Sequence, residues 1–192
     1  MSPIIELIGG AKAYGWGSVA ELPPSFESIA TISPASGSSS ITFSNIPQTY
    51  QHLQVRFSYA RLNSSSGSAG LTFNSDTGSN YIYHYLGGNG SNLDPNGNAS
   101  YTAILVMPVS GGSTSPASYG SAIVDIYDYN SSSKKKTLRS FSGVDRNGTG
   151  WVYLGSGLWQ NTNAITSIRI DFQGDTCAAN CVFSLYGIKG AI

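Results

Sequence analysis

Charged side chains are scarce in this chain. Asp, Glu, Lys and Arg make up 10% of the 192 residues, and the formal net charge is zero. Ordinary soluble domains carry about 25% charged residues. The only run of consecutive basic residues is at 134–136. A general nucleic-acid binder needs a basic face. We therefore expect no nucleic-acid partner. A neutral surface also lacks repulsion between copies, which favours association.

Long apolar runs are lacking too. No run approaches the ~20 residues of a membrane-spanning helix. Residues 4–8 are mostly apolar, but the segment is too short for a secretory signal and no basic region precedes it. We therefore expect no membrane insertion, and synthesis in a cytoplasm without a standard export signal.

The chain has two cysteines, Cys177 and Cys181. A structural metal site would need two further ligands, and neither His52 nor His84 is close in sequence. No metal site is predicted. A disulfide across this turn and a pair of free thiols both remain open, since a disulfide requires an oxidising compartment.

Motifs that carry catalysis are also lacking. Asp125 and Asp128 are three positions apart on a predicted strand, so they should point to opposite faces. The sequence has no nucleophile elbow, no phosphate-binding loop and no dinucleotide fingerprint. We therefore predict no enzyme, no catalytic residue and no cofactor.

Alternating apolar residues are what the chain does have. Residues 119–160 contain three strand-like segments joined by polar turns, and in the first of them Ala122, Val124 and Ile126 share one face. Similar segments follow one another from residue 26 to residue 188, at spacings of ~8–15 residues and with no convincing helix. Between two of them we expect a long polar loop at residues 87–98, followed by a strand at 99–109. The pattern predicts an all-β antiparallel fold of about ten strands, either a β-sandwich or a jelly roll.

Residues 1–24 differ from this pattern and are closed off by Pro23 and Pro24. A frayed terminus is one interpretation. We prefer an extended N-terminal arm that docks onto a neighbouring subunit, because large apolar side chains are costly to leave in water. The domain boundaries are then 1–24 for the arm and 25–192 for the sandwich. The candidate anchoring residues are Ile4, Ile5, Leu7, Ile8, Tyr14 and Trp16.

Aromatic residues supply a second group of candidates. One strand face and the segment after residue 150 could form a sugar-binding platform or a subunit interface, both of which favour Tyr and Trp, although some of these residues must be core. Lys134, Lys135 and Lys136 are predicted to be a solvated hairpin tip. The aromatic candidates are Tyr81, Tyr83, Tyr85, Trp151, Tyr153 and Trp159.

Five segments together, by their order, resemble a group of tailed-bacteriophage virion proteins, including those of phages that infect cyanobacteria. They are residues 25–33, 41–56, 73–91, 136–171 and 183–190. The resemblance implies a jelly-roll-like sandwich, built into a virion as a symmetric oligomer, most often a homotrimer. It supplies no catalytic residues, and it leaves the position open among tail fibre, baseplate, neck and capsid surface.

The expected function is a non-enzymatic virion subunit, associated with the tail, that docks by its arm and presents the sandwich outward for host attachment. Its partners would be further copies of itself, other virion proteins and a host-surface glycan. The alternatives are a capsid decoration protein and a carbohydrate-binding module.

Overall fold

The computed structural model describes residues 25–62, 66–111, 118–146 and 148–190. Within these ranges it contains twelve β-strands and no helix. The strands are β1 (Phe26–Ile32), β2 (Ser40–Phe43), β3 (His52–Arg61), β4 (Ser66–Phe73), β5 (Tyr81–Gly88), β6 (Leu93–Tyr101), β7 (Ile104–Gly111), β8 (Gly120–Tyr127), β9 (Lys136–Asp145), β10 (Gly150–Trp159), β11 (Ile168–Asp171) and β12 (Val182–Ile188). No helix in this part of the chain is long and apolar enough to cross a membrane.

The strands form two antiparallel sheets, of eight and four strands. The large sheet has the order β1-β12-β3-β8-β9-β10-β5-β6, and the small sheet has the order β2-β11-β4-β7. A short parallel pairing of Ala60 and Arg61 with the end of β7 links the two. The predicted all-β, jelly-roll-like sandwich is confirmed, with twelve strands instead of about ten.

The sandwich core lies between the two sheets. Alternate residues of β3 point inward, and Leu53, Val55 and Tyr59 are fully buried. The ring of Tyr59 stacks on that of Phe172, with 4.5 Å between ring centroids. Burial of each such side chain stabilises the fold by roughly 1.5–3 kcal/mol. The alternate apolar residues predicted from the sequence to face inward are therefore the main source of stability.

The predicted meander is confirmed: β8, β9 and β10 pair consecutively and antiparallel. The predicted loop at residues 87–98 is wrong, because its second half belongs to β6, which pairs along β5. This edge strand is rich in Asn and Gly and lacks alternation, so pairing with β5 rather than intrinsic propensity determines its conformation.

The predicted strand at residues 99–109 is in fact the end of β6 and the start of β7, separated by a bend at Thr102 and Ala103. The two halves lie in different sheets. Residues 1–24, and with them the candidate anchoring residues, lie outside the described part of the chain.

Candidate interaction surface

The outward face of the large sheet carries a row of exposed apolar side chains. Strand register places Ile123 opposite Phe141, Phe141 opposite Leu154, and Leu154 opposite Leu86. Their exposed fractions are 39%, 54%, 59% and 52% in that order. We call these four residues the apolar stripe. It continues to the exposed Pro95 on the edge strand β6.

A groove runs beside the apolar stripe. The next row of the same face places Ser58, Ser121 and Gly143 side by side, between Val182 at one end and Val152 at the other. Because the three middle residues are small, they form the floor of a shallow groove of about 480 Å³, and Ile123 and Phe141 form one wall. Val152 is 51% exposed and Val182 39%.

The row on the other side of the apolar stripe is polar, and its side chains form hydrogen bonds with one another. The Gln54 amide donates to Asp125 at 2.6 Å, and Arg139 Nε donates to the other oxygen of Asp125 at 3.1 Å. The Arg139 guanidinium also lies over the ring of Tyr127, 5.4 Å from its centroid. Exposed apolar residues are normal when scattered, but a continuous apolar row next to a neatly paired polar one marks a candidate interaction site.

The apolar stripe is not among the sites predicted from the sequence. The sequence pattern does place these side chains outward. Ile123 lies on the face of β8 opposite its buried residues, and Phe141 and Leu154 do the same on β9 and β10. Without the strand register, nothing shows that these outward residues lie side by side.

Four of the six aromatic candidates are buried, and three of these, Tyr81, Tyr83 and Trp159, belong to the hydrophobic core. Tyr81 and Trp159 are 0% and 1% exposed. Trp159 Nε1 donates to Asp76 Oδ2 at 2.7 Å, and the Tyr81 hydroxyl donates to the Asp76 carbonyl at 3.0 Å. Burial raises the pKa of Tyr81 to about 12. These contacts assign both rings to structural support.

Tyr83 and the other three aromatic candidates form a chain of rings at one end of the inner face. Tyr83 and Tyr85 have parallel rings at 6.3 Å, Tyr85 meets Tyr153 edge-on at 5.5 Å, and Tyr153 meets Trp151 at 5.6 Å. The Tyr153 hydroxyl donates to Asp94 Oδ2 at 2.8 Å. Burial, with this hydrogen bond to a carboxylate, raises the pKa of Tyr153.

The chain of rings ends in a second cavity. Asp94, Met107, Arg146, Trp151 and Tyr153 contribute to its lining, and its volume is about 430 Å³. Trp151 is partly exposed there. A partly exposed indole beside a carboxylate and a guanidinium offers both an apolar face and planar hydrogen-bonding groups.

Lys136 departs from its predicted place at a solvated hairpin tip. It is 0% exposed, and its ammonium donates to the carbonyls of Ser131, Lys134 and Thr162 at 2.6–2.8 Å. Burial lowers its pKa. Lys134 and Lys135 are exposed as predicted. Lys136 is on the inner side of β9, where three carbonyls of the two adjoining turns converge on it.

Both cysteines are buried free thiols. Cys177 Sγ donates to the Ala35 carbonyl at 3.3 Å, and the Ala60 amide donates to Cys181 Sγ at 3.4 Å. Burial raises the pKa of Cys181 to about 11. The structure therefore corresponds to the free-thiol alternative.

The remaining titratable candidates stay apart or pair locally. Asp128 receives Lys134 Nζ at 2.7 Å and lies 3.7 Å from His52 Nδ1. His84 is exposed on the outward face of β5. Among the residues that the structure describes, no group of three or more His, Cys, Asp or Glu side chains could hold a metal ion.

Comparisons with known proteins assign no family. No family model matches the chain, and no curated protein matches it. Among solved structures, a candidate pore-forming toxin from Bacteroides vulgatus has a TM-score of 0.07 and 8% sequence identity, over 80% of this chain and 59% of that chain. This chain thus spans less than two thirds of that toxin's length, and so low a TM-score carries no argument about fold or function.

Proposed function

We propose that the protein is a non-enzymatic structural subunit of a bacteriophage virion, associated with the tail, that joins neighbouring subunits through the outward face of its large sheet. The observation that carries the proposal is the apolar stripe, four large side chains each 39–59% exposed and in register across four strands. The resemblance of the five sequence segments to virion proteins supplies the particle in which such a subunit would assemble.

The size of the stripe favours a closed homotrimer over a simple dimer. Because each side chain is already about half buried, covering the remainder contributes on the order of 1 kcal/mol per residue. Association costs several kcal/mol in lost translational and rotational freedom, so the stripe alone would give weak pairing. In a closed homotrimer each copy contributes two contacts, and further contacts to other virion proteins add to them.

The assembly role is tested by changing the stripe in the full-length chain. We expect Phe141→Ser with Leu154→Ser to leave the chain folded, although less stable by about 2 kcal/mol, but to weaken self-association at least tenfold, measured by light scattering coupled to size exclusion. The matched control is Thr137→Ser with Ser156→Thr, outward positions on the same two strands. A wild-type chain that stays monomeric at every concentration would refute assembly through this face.

The virion role is tested separately. Mass spectrometry of purified particles of the phage that encodes the chain should detect it, and immunogold labelling should place it on the tail. Labelling of the capsid surface would instead support the decoration-protein alternative. Absence from intact particles would refute both.

A second candidate function, saccharide binding, is favoured by the cavity at Trp151. Sugar rings present apolar faces and hydroxyl pairs, which suit an indole beside a carboxylate and a guanidinium. We expect Trp151→Ala to abolish any binding on a glycan array, while Tyr127→Ala, on the outward side of β8 and not among the residues that line this cavity, leaves it unchanged. An array on which the wild-type protein binds nothing would remove this candidate.

A further inference from the structure

We propose that the groove beside the apolar stripe receives residues 1–24 of a neighbouring copy. This inference rests on the proposed assembly role and names the partner that the outward face takes. It depends on where the described chain begins, on the direction in which it leaves the sheet, and on the match between the groove and the segment.

The described chain begins on the same sheet face as the groove. β1 is the edge strand of the large sheet. The ring of Phe26 stacks on Tyr186 at 4.9 Å, and the exposed Arg56 guanidinium lies over both rings at 5.2 and 5.3 Å. Arg56 in turn is opposite Ile123, the first residue of the apolar stripe. The Phe26 side chain, one residue from the start of the described chain, therefore lies on the outward face that carries the groove.

The direction of β1 points the preceding residues away from the groove of their own copy. Phe26 pairs with Ile188, at the end of the sheet where His52 lies, whereas Ile32 pairs with Phe183, next to the groove residue Val182. Going back from Phe26, the chain moves away from Val182. Pro23 and Pro24 favour an extended backbone over a helix. A neighbouring copy is therefore the natural recipient.

The groove and the segment match in length and chemistry. From Val182 to Val152 the groove crosses five strands, four spacings of about 4.8 Å or roughly 19 Å in all. The mostly apolar residues 4–8 span up to roughly 17 Å when extended, and the whole segment of 24 residues reaches far enough to bridge two copies. Glu6 is opposite in charge to Arg56, one of the residues that line the groove.

The segment also supplies what the stripe lacks. The stripe alone is too small for a stable interface, and its sandwich core is already complete. On an extended segment Ile5 and Leu7 share one face, and these two aliphatic side chains would lose their contact with water in the same step as Phe141 and Val152. Exchange of such a segment between copies joins them without any rearrangement of the sandwich.

Photocrosslinking in the full-length protein tests the inference. The photoreactive residue p-benzoylphenylalanine replaces Phe141, light and heavy isotope-labelled chains are mixed and allowed to exchange, and crosslinked peptides are identified after irradiation. We expect crosslinks between position 141 and residues 1–24 that join a light to a heavy chain. The same photoreactive residue at Thr137, outward on the same strand but four positions away, should give no such crosslinks.

The other outcomes are distinct. Crosslinks between position 141 and residues 1–24 of the same chain would overturn exchange between copies, and crosslinks between two apolar stripes would show a face-to-face contact. Both overturn the inference, and the oligomeric state measured by light scattering then decides the assembly role. A monomeric protein without crosslinks would overturn the assembly role as well. As a second measurement, Ile5→Asp should reduce the crosslink yield at position 141 about tenfold, the loss given by about 1.4 kcal/mol of lost contact, whereas Glu21→Gln should not.

Discussion

The two faces of β9 show opposite relations between polarity and burial. On the inward side Lys136, Ser140 and Ser142 are buried, whereas on the outward side Phe141 is 54% exposed. The inward ammonium of Lys136 donates hydrogen bonds to three carbonyls, while about half of the outward Phe141 side chain is left in contact with solvent. The comparison indicates that the inner face of the sheet serves stability and that the outer apolar residues are available for contacts with another chain.

The largest effect should come from the inner face of the neighbouring strand. Trp159→Ala should lower the free energy of unfolding by about 3–5 kcal/mol, because it leaves a large cavity beside Phe73 and Tyr81 and removes the hydrogen bond to Asp76. Chemical denaturation followed by circular dichroism measures it. Trp151→Ala, at a partly exposed position, is the control and should cost clearly less. Equal losses would contradict the assignment of Trp159 to the core.

The buried thiol on the inner side makes stability depend on alkaline pH. The pKa of Cys181 is raised to about 11 from 9.0, so the folded chain keeps a proton that the unfolded chain releases. The free energy of unfolding should therefore be unaffected by this group below pH 9 and fall between pH 9 and 11, by up to about 1.4 kcal/mol per pH unit. Tyr81 should also lower the free energy of unfolding at alkaline pH, between pH 10 and 12, because its pKa is raised from 10.0 to about 12.

Denaturation at a series of pH values separates these groups. Cys181→Ala should flatten the fall between pH 9 and 10, whereas Cys177→Ala should preserve most of it. If the slope is unchanged in Cys181→Ala, the thiol is not the group responsible.

Lys136 tests whether a polar residue on the inner face supports the fold. Lys136→Met fills similar space but leaves the carbonyls of Ser131, Lys134 and Thr162 without the ammonium. Each unsatisfied buried acceptor is costly, and we expect a loss of about 1–3 kcal/mol. Lys135→Met, at the exposed neighbouring position, should change stability by less than about 0.5 kcal/mol. A neutral Lys136→Met would mean that the three hydrogen bonds contribute nothing net.

Sequence patterns predicted those parts of the molecule in which one face of a strand is consistently apolar. The central meander and β3 follow this rule, because Leu53, Val55 and Tyr59 alternate with polar residues. The rule fails for β6, whose Asn and Gly residues pair along β5 without burying a face. It also fails for Lys136, because the carbonyls that surround it come from turns whose geometry the sequence does not specify.

The apolar stripe was not predictable for a related reason. Its residues come from four strands, and only the pairing register places Phe141 beside Leu154. All six aromatic candidates lie on the inward side of β5 and β10, where Tyr81 and Trp159 are buried and Trp151 remains at a cavity. Strand alternation alone assigns each residue to one of two faces. It does not say which face contacts solvent when both faces carry apolar residues.

The smallest predicted effect concerns the serine next to Phe141. Ser142 is 2% exposed, and within the described part of the chain its hydroxyl has no hydrogen-bond partner. Because burying an unpaired hydroxyl is unfavourable, Ser142→Ala should raise the free energy of unfolding by up to about 1 kcal/mol. Phe141→Ala, one position away and outward, should lower it by only about 1 kcal/mol, as expected for loss of cross-strand contacts at a half-exposed site. If Ser142→Ala instead lowers the free energy of unfolding, the hydroxyl is satisfied by a water. The inner face of β9 is then as well paired at Ser142 as it is at Lys136.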